Sequence, residues 1–185
     1  MIGNLAQAEV KKWSHFYQLA VDGGRGSGAA MEWYQRLAQT WQSHNLLLGV
    51  TPVTEESFQA FEDRFSVRIP SDVRRYFQCV NGTSILAGHD MDENGFRFLP
   101  LSEVQAVGDF AAEMGWKIDD EILGHQTAFV FVDYLAWCGA YAFETASPNE
   151  GAVYLLGYPR QRIVAPTLAK FAELYLKDDD SIYRA

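Results

Sequence analysis

Asp90-Met-Asp92-Glu93-Asn94-Gly95 has the carboxylate and amide oxygens, and the turning glycine, of the first half of a calcium loop. The second half is missing. Leu101 stands where a bidentate Glu would complete the cation's shell, and Phe96, Phe98 and Leu99 continue as a strand rather than an exiting helix. A solvated hairpin turn is the expected reading, with no metal. Gly24-Arg-Gly26-Ser-Gly28-Ala29 matches the letters of a dinucleotide fingerprint, but a helix pattern precedes it and no Gly-Lys-Ser/Thr follows, so a linker explains it. His15, His44, His89 and His125 stand apart with no paired cysteine, and Cys138 lies in an apolar run with no Gly-x-Ser-x-Gly elbow elsewhere. These residues point to no catalytic group, no metal and no cofactor. Asp90 and Asp92 remain the carboxylate pair that an unrecognised hydrolase would use, since such pairs need closeness in space only.

Recognition is the other chemistry these side chains offer. Trp137 and Tyr141 lie near acidic Asp133 and Glu144, the pairing of aromatic and charge found at binding hot spots, although core packing is the commoner fate of such rings. Together with Asp90, Asp92 and Glu93 they make the candidate partner-binding set. Asp119-Asp120-Glu121 and Asp178-Asp179-Asp180 are charge runs expected on solvated faces or a frayed end.

The chain's 185 residues are 48% hydrophobic and 21% charged, the mixture of a folded domain. Fifteen Lys+Arg against 24 Asp+Glu give a net charge of -9. That field repels nucleic acid and anionic membranes and favours a basic polypeptide. Two cysteines, Cys79 and Cys138, make no disulfide framework, and the N-terminus lacks the basic and apolar regions of an export signal. A cytoplasmic protein, monomer or weak homodimer, is expected.

Val10, Trp13, Tyr17 and Ala20 recur at helical spacing and are followed by the glycine-rich Asp22–Gly28, so residues 1–28 read as an extra N-terminal helix and linker, and 29–185 as one domain. A second helix carries Trp33, Leu37 and Trp41. A third starts after Thr54 with Phe58, Phe61 and Phe65 on one stripe. Ile69-Pro70-Ser71-Asp72 begins a fourth, with Ser71 as N-cap, Val73, Tyr76, Phe77 and Val80 buried, and Asn81-Gly82 at its close. Ser84 to Ala87 and Phe96 to Leu99 predict strands, Ser102 to Met114 a helix, and Thr127 to Val132, Ala140 to Glu144, Ala152 to Leu156 and Arg162 to Val164 further strands. Thr167 to Leu176 closes the pattern as a helix. The fold class is α+β, a mostly antiparallel sheet flanked by helices.

This order, with Phe58, Phe61 and Glu62, then Ile69-Pro70, Asp72, Tyr76-Phe77 and Asn81-Gly82, resembles the SUKH superfamily, which includes the yeast Smi/Knr-type cell-wall regulators. Leu99 to Val104, Tyr141-Ala142-Phe143, Gly151 to Tyr154 and Thr167 to Phe171 are similar to its later strands and last helix. The resemblance runs from Pro52 to about Tyr183. Thr83-Ser84-Ile85 and Asp133-Tyr134-Leu135 depart from it, where loops would face a partner. It implies a SUKH-like fold and a non-enzymatic protein-binding role. Bacterial relatives serve as immunity proteins that occlude a secreted toxin, a basic nuclease-type toxin being one that an acidic surface would steer. The alternative it implies is a regulatory scaffold for cell-wall or signalling partners.

Overall fold

Trp33, Leu37 and Trp41 set the face of helix α1 (Trp33–Ser43), the first element of a computed structural model that describes residues 31–46, 51–83, 91–119, 126–157 and 161–183. Leu37 and Trp41 are buried and Trp33 is half-buried. Expectations for the helix and linker of residues 1–28, the strand Ser84 to Ala87 and Asp90 lie outside the described residues.

Helix α2 (Glu55–Phe65) begins as its sequence requires: the Thr54 hydroxyl accepts the Ser57 N–H at 3.3 Å, and Glu55 and Glu56 sit at the positive end of the helix. Phe58 and Phe61 are buried, and the Phe61 ring lies 5.0 Å from Phe129 of the sheet. Helix α3 (Ser71–Cys79) departs from expectation at its start. Pro70, not Ser71, holds the N-cap position, and its carbonyl accepts the first helical bond from Arg74 N–H. Pro70 stands with φ of -54° and ψ of 148° and offers that carbonyl with no side-chain cap. Val73, Tyr76, Phe77 and Val80 are fully buried as the stripe predicts.

Asn81 and Gly82 then turn the chain with φ of 48° and 82°. The asparagine joins three segments: its amide donates to the Thr51 carbonyl at 2.6 Å and its oxygen accepts from Leu101 N–H at 2.9 Å. A Cβ at Gly82 would fall 2.6 Å from the Phe98 carbonyl oxygen and 2.7 Å from the Pro100 nitrogen. Backbone cannot yield as a side chain does, so only glycine fits.

Six strands form the sheet among the described residues: β1 (Phe96–Phe98), β2 (Gln105–Ala106), β3 (Ala128–Tyr134), β4 (Gly139–Glu144), β5 (Val153–Gly157) and β6 (Arg162–Ala165). All pairs are antiparallel, in the order β1-β3-β4-β5-β6, with β2 also on β3. The expected helix from Ser102 is shorter than predicted. Leu101–Glu103 is one 3-10 turn, β2 pairs Gln105 and Ala106 with Val130 and Phe129, and only then does α4 (Val107–Met114) begin. β-branched Val104 takes extended backbone, which suits a strand approach better than a helix.

Helix α5 (Leu168–Leu176) completes the layer. Rings of Tyr76 and Phe171 meet Phe131, and Phe77 meets Phe143, so α3 and α5 cover one sheet face. Every residue of β4 is buried, so its other face is covered as well. The start of α5 is satisfied from two directions. Thr167 accepts from Lys170 N–H, while the Asp72 carboxylate, reaching from α3, accepts from Leu168 N–H at 2.9 Å and Ala169 N–H at 3.4 Å. These are the donors a helix start leaves without a backbone partner.

Candidate functional site

Between Met91 and Phe96 the chain reverses around one carboxylate. Asp92 Oδ1 accepts from Asn94 N–H at 2.9 Å and Phe96 N–H at 2.8 Å. Its Oδ2 accepts from the Tyr175 hydroxyl at 2.6 Å, and that hydroxyl in turn accepts from Trp41 Nε1 at 2.9 Å. This relay ties α1 and α5 to the loop. A cation at Asp92 would have to displace three donors, so the calcium-like spelling has become a side-chain-closed turn. Burial, together with the neighbouring Asp92 charge and its hydrogen bond, pushes the Tyr175 hydroxyl well above the usual tyrosine range. Glu93 is exposed at the loop's tip.

The β3–β4 connection lies beside it. Leu135, Ala136 and Trp137 take φ of 51°, 53° and 66°, three consecutive non-glycine residues in the left-handed region, where each costs about 1–2 kcal/mol. Two contacts hold the turn. Buried Asp133 accepts from Trp137 N–H at 2.6 Å, and Leu135 N–H donates to the Gly95 carbonyl at 2.8 Å. Gly95, with φ of 83°, leaves room for Leu135: a Cβ there would sit 2.3 Å from Leu135 Cδ2. Leu135 is 47% exposed and Cys138 is exposed, while Trp137 is half-buried with its ring 5.2 Å from Phe110.

Residues 178–183 complete this end of the sheet. The Asp178-Asp179-Asp180 run, expected on a solvated face or a frayed end, keeps Asp178 and Asp180 exposed and enters a 3-10 turn. Asp179 caps that turn (Asp180–Ile182) by accepting from Ser181 N–H, and Asp178 accepts from the Tyr183 hydroxyl and from Asn94 Nδ2. The Tyr183 ring packs on Phe96 and Tyr134. Burial first, then the charges of Asp92 and Asp178, raise the Tyr134 hydroxyl above its ordinary value. Both carboxylates therefore act on one ring.

The structure brings Asp92, Glu93, Asp133 and Trp137 to this end and separates the rest. Tyr141 is a core residue: it is fully buried, its ring lies 5.0 Å from Phe171, and its hydroxyl donates to the Ile182 carbonyl at 2.8 Å. Glu144, at the opposite end of β4, is buried and accepts from Thr145 and Ala146 N–H groups, shaping the next turn. Asp133 is likewise internal. Asp90 lies outside the described residues. The sequence marks Leu135 and Asp178 only as part of a departing loop and a charge run, and Tyr175 and Tyr183 not at all as site residues, because they reach this end through tertiary contact. An apolar residue at the apex of a strand-to-strand turn was the one local signal.

Among the described residues no group of three or more His, Cys, Asp and Glu is placed to hold a metal ion, and no helix is long and apolar enough to cross a membrane. A search of curated proteins found none that matches the chain. Comparison with protein families matches residues 52–174 to the SMI1 / KNR4 family (SUKH-1), a span from just before α2 to the last turn of α5. With its helix pair, Asn-Gly turn and antiparallel sheet inside that span, the chain belongs to the SMI1 / KNR4 family (SUKH-1).

Proposed function

We propose that this protein is a non-enzymatic binding domain, an immunity protein that neutralises a cognate toxin by covering its surface. The observation that carries the reading is the convergence of Glu93, Leu135, Trp137 and Asp178 on one sheet end, an exposed apolar side chain with acidic neighbours on hydrogen-bonded turns. Membership of the family supports protein recognition, and the acidity of the chain suits a basic nuclease-type toxin. Asp133 and Asp92 position this surface from within, and Tyr141 and Glu144 support the sheet behind it. Such a mechanism requires geometry and charge only, with no cofactor.

The test is co-expression with the toxin-like product of a neighbouring gene. A stoichiometric complex that abolishes the toxin's activity is expected. A purified domain that forms no such complex, and instead turns over a small molecule, would overturn the reading.

A further inference from the structure

We infer that the sheet end built from residues 92–95, 134–138 and 178–183 receives a basic segment of the partner, with Leu135 as its apolar anchor. The inference rests on the binding role proposed above and names the partner's chemistry. Leu135 carries it: an exposed leucine occupies a left-handed turn where asparagine or glycine would sit without strain, and the two residues after it share that conformation. The fold supports this costly arrangement from below, through the Asp133 bond to Trp137 and the space left by Gly95. A tip fixed in advance loses little freedom on binding.

Charge selects the occupant. Residues 1–90 hold eight Lys and Arg against nine Asp and Glu, whereas residues 91–185 hold seven against fifteen. The acid excess thus belongs to the half of the chain that makes this end. Leu135 N–H bonds Gly95 of the loop that carries Glu93, and Asn94 of the same loop bonds Asp178, so both acids belong to the hydrogen-bonded end that carries the leucine, and they fit lysine or arginine beside an apolar contact and repel phosphate.

The experiment uses the full chain, isotope-labelled for NMR, titrated with two synthetic peptides of equal length. One is rich in Lys and Arg around central leucines; the other has Glu in place of every basic residue. Saturable shifts of the Glu93, Leu135 and Asp178 amides are expected with the basic peptide, weakened as salt rises from about 50 to about 500 mM, and none with the acidic one. Leu135→Asn should weaken binding about tenfold. The same change should raise the melting temperature, because asparagine tolerates the left-handed backbone, so lost binding cannot be blamed on misfolding. Absence of binding, saturable shifts centred on Asp119 or Glu150 instead, or binding indifferent to Leu135→Asn would overturn the inference. A toxin complex that leaves residues 92–95, 134–138 and 178–183 unperturbed would also overturn it, yet leave the immunity reading standing. Peptide binding at this end without any toxin complex would do the reverse.

Discussion

At the α2–α3 corner, carboxylates are consumed by the fold. Glu62 is buried and accepts from Arg68, Arg74 and the Ile69 N–H at 2.8–2.9 Å, while Asp72 divides its oxygens between Val73 and the start of α5. At the sheet end the pattern divides. Asp92 and Asp133 face inward and close turns, whereas Glu93 is left exposed on the loop they shape. The corner gives Glu62 arginine partners and Asp72 backbone amides, and at the sheet end Asp92 takes backbone amides and a tyrosine hydroxyl. The two regions therefore differ in exposure more than in donor type: inward carboxylates of both hold the fold together, and the field that reaches solvent comes from exposed Glu93 and Asp178.

The comparison breaks first if the corner is not essential to folding. Phe77 is fully buried against Tyr76 and Phe143, and Phe61 against Phe65 and Phe129. Either residue changed to Ala should cost about 3–5 kcal/mol in urea unfolding. Changes near zero would detach the helix pair from the core.

Glu62→Gln sharpens the claim about inward carboxylates. Charge-assisted bonds are worth about 1.5–3 kcal/mol, and the variant should lose an amount in that range. Burial alone would raise the Glu62 pKa, but the Ile69 amide, Arg68 and Arg74 outweigh it and hold it below the ordinary carboxylate value. A depressed folded-state pKa contributes stability that is full above the unfolded value and disappears as pH falls through the folded one. The wild-type's advantage over Glu62→Gln should therefore shrink on acidification. An advantage that persisted unchanged in acid would contradict the staple.

Tyr175→Phe probes the link between the two regions. It keeps the ring against Phe98 and removes the hydroxyl between Trp41 and Asp92, so a loss of about 1 kcal/mol is expected, with faster amide exchange at Asn94 and Phe96. Unaltered exchange would mean that the loop does not depend on the relay. Trp41 precedes the family-matched span, so the α1 end of this relay lies outside it.

Local chemistry made much of this legible. Thr54 and Thr167 predicted their helix starts, the Phe58–Phe61 and Tyr76–Phe77 stripes predicted buried faces, and the short runs around Phe143 and Tyr154 predicted strands whose ends shifted by one residue. The site was less legible, because residue type does not report orientation. Tyr141 and Leu135 lie six residues apart, yet pleating turns the tyrosine into the core while the left-handed turn leaves the leucine outside. Asp72 could be matched to a family position, but its hold on α5 spans 96 residues and leaves no trace in local spacing.

Removal of residues 1–28 should have a smaller effect than any of these core changes. Glycine-rich sequence at Asp22–Gly28 lies between that segment and α1, so we expect the remainder to keep one cooperative transition within about 0.5 kcal/mol of the full chain. Loss of cooperativity would place the segment in the core. Sedimentation of both forms would show whether it also pairs two chains.

Glu93→Gln tests the other side of the comparison with the smallest expected change. Its side chain is exposed on a turn whose geometry is fixed by Asp92, so removing its charge should leave the melting temperature within error. Association with a basic partner should nonetheless slow, by about two- to threefold at low salt, because long-range attraction acts on the encounter rather than on short-range contacts in the complex. Dissociation should barely change. Raising salt shortens the screening length from about 10 Å at 0.1 M to about 3 Å at 1 M, so the difference between variant and wild type should vanish there. Stopped-flow mixing of the two proteins with the captured partner measures all three quantities. A variant that destabilised the fold would place Glu93 with Glu62 among the staples, and one whose association rate matched wild type at low salt would leave the acidic rim as solvation alone.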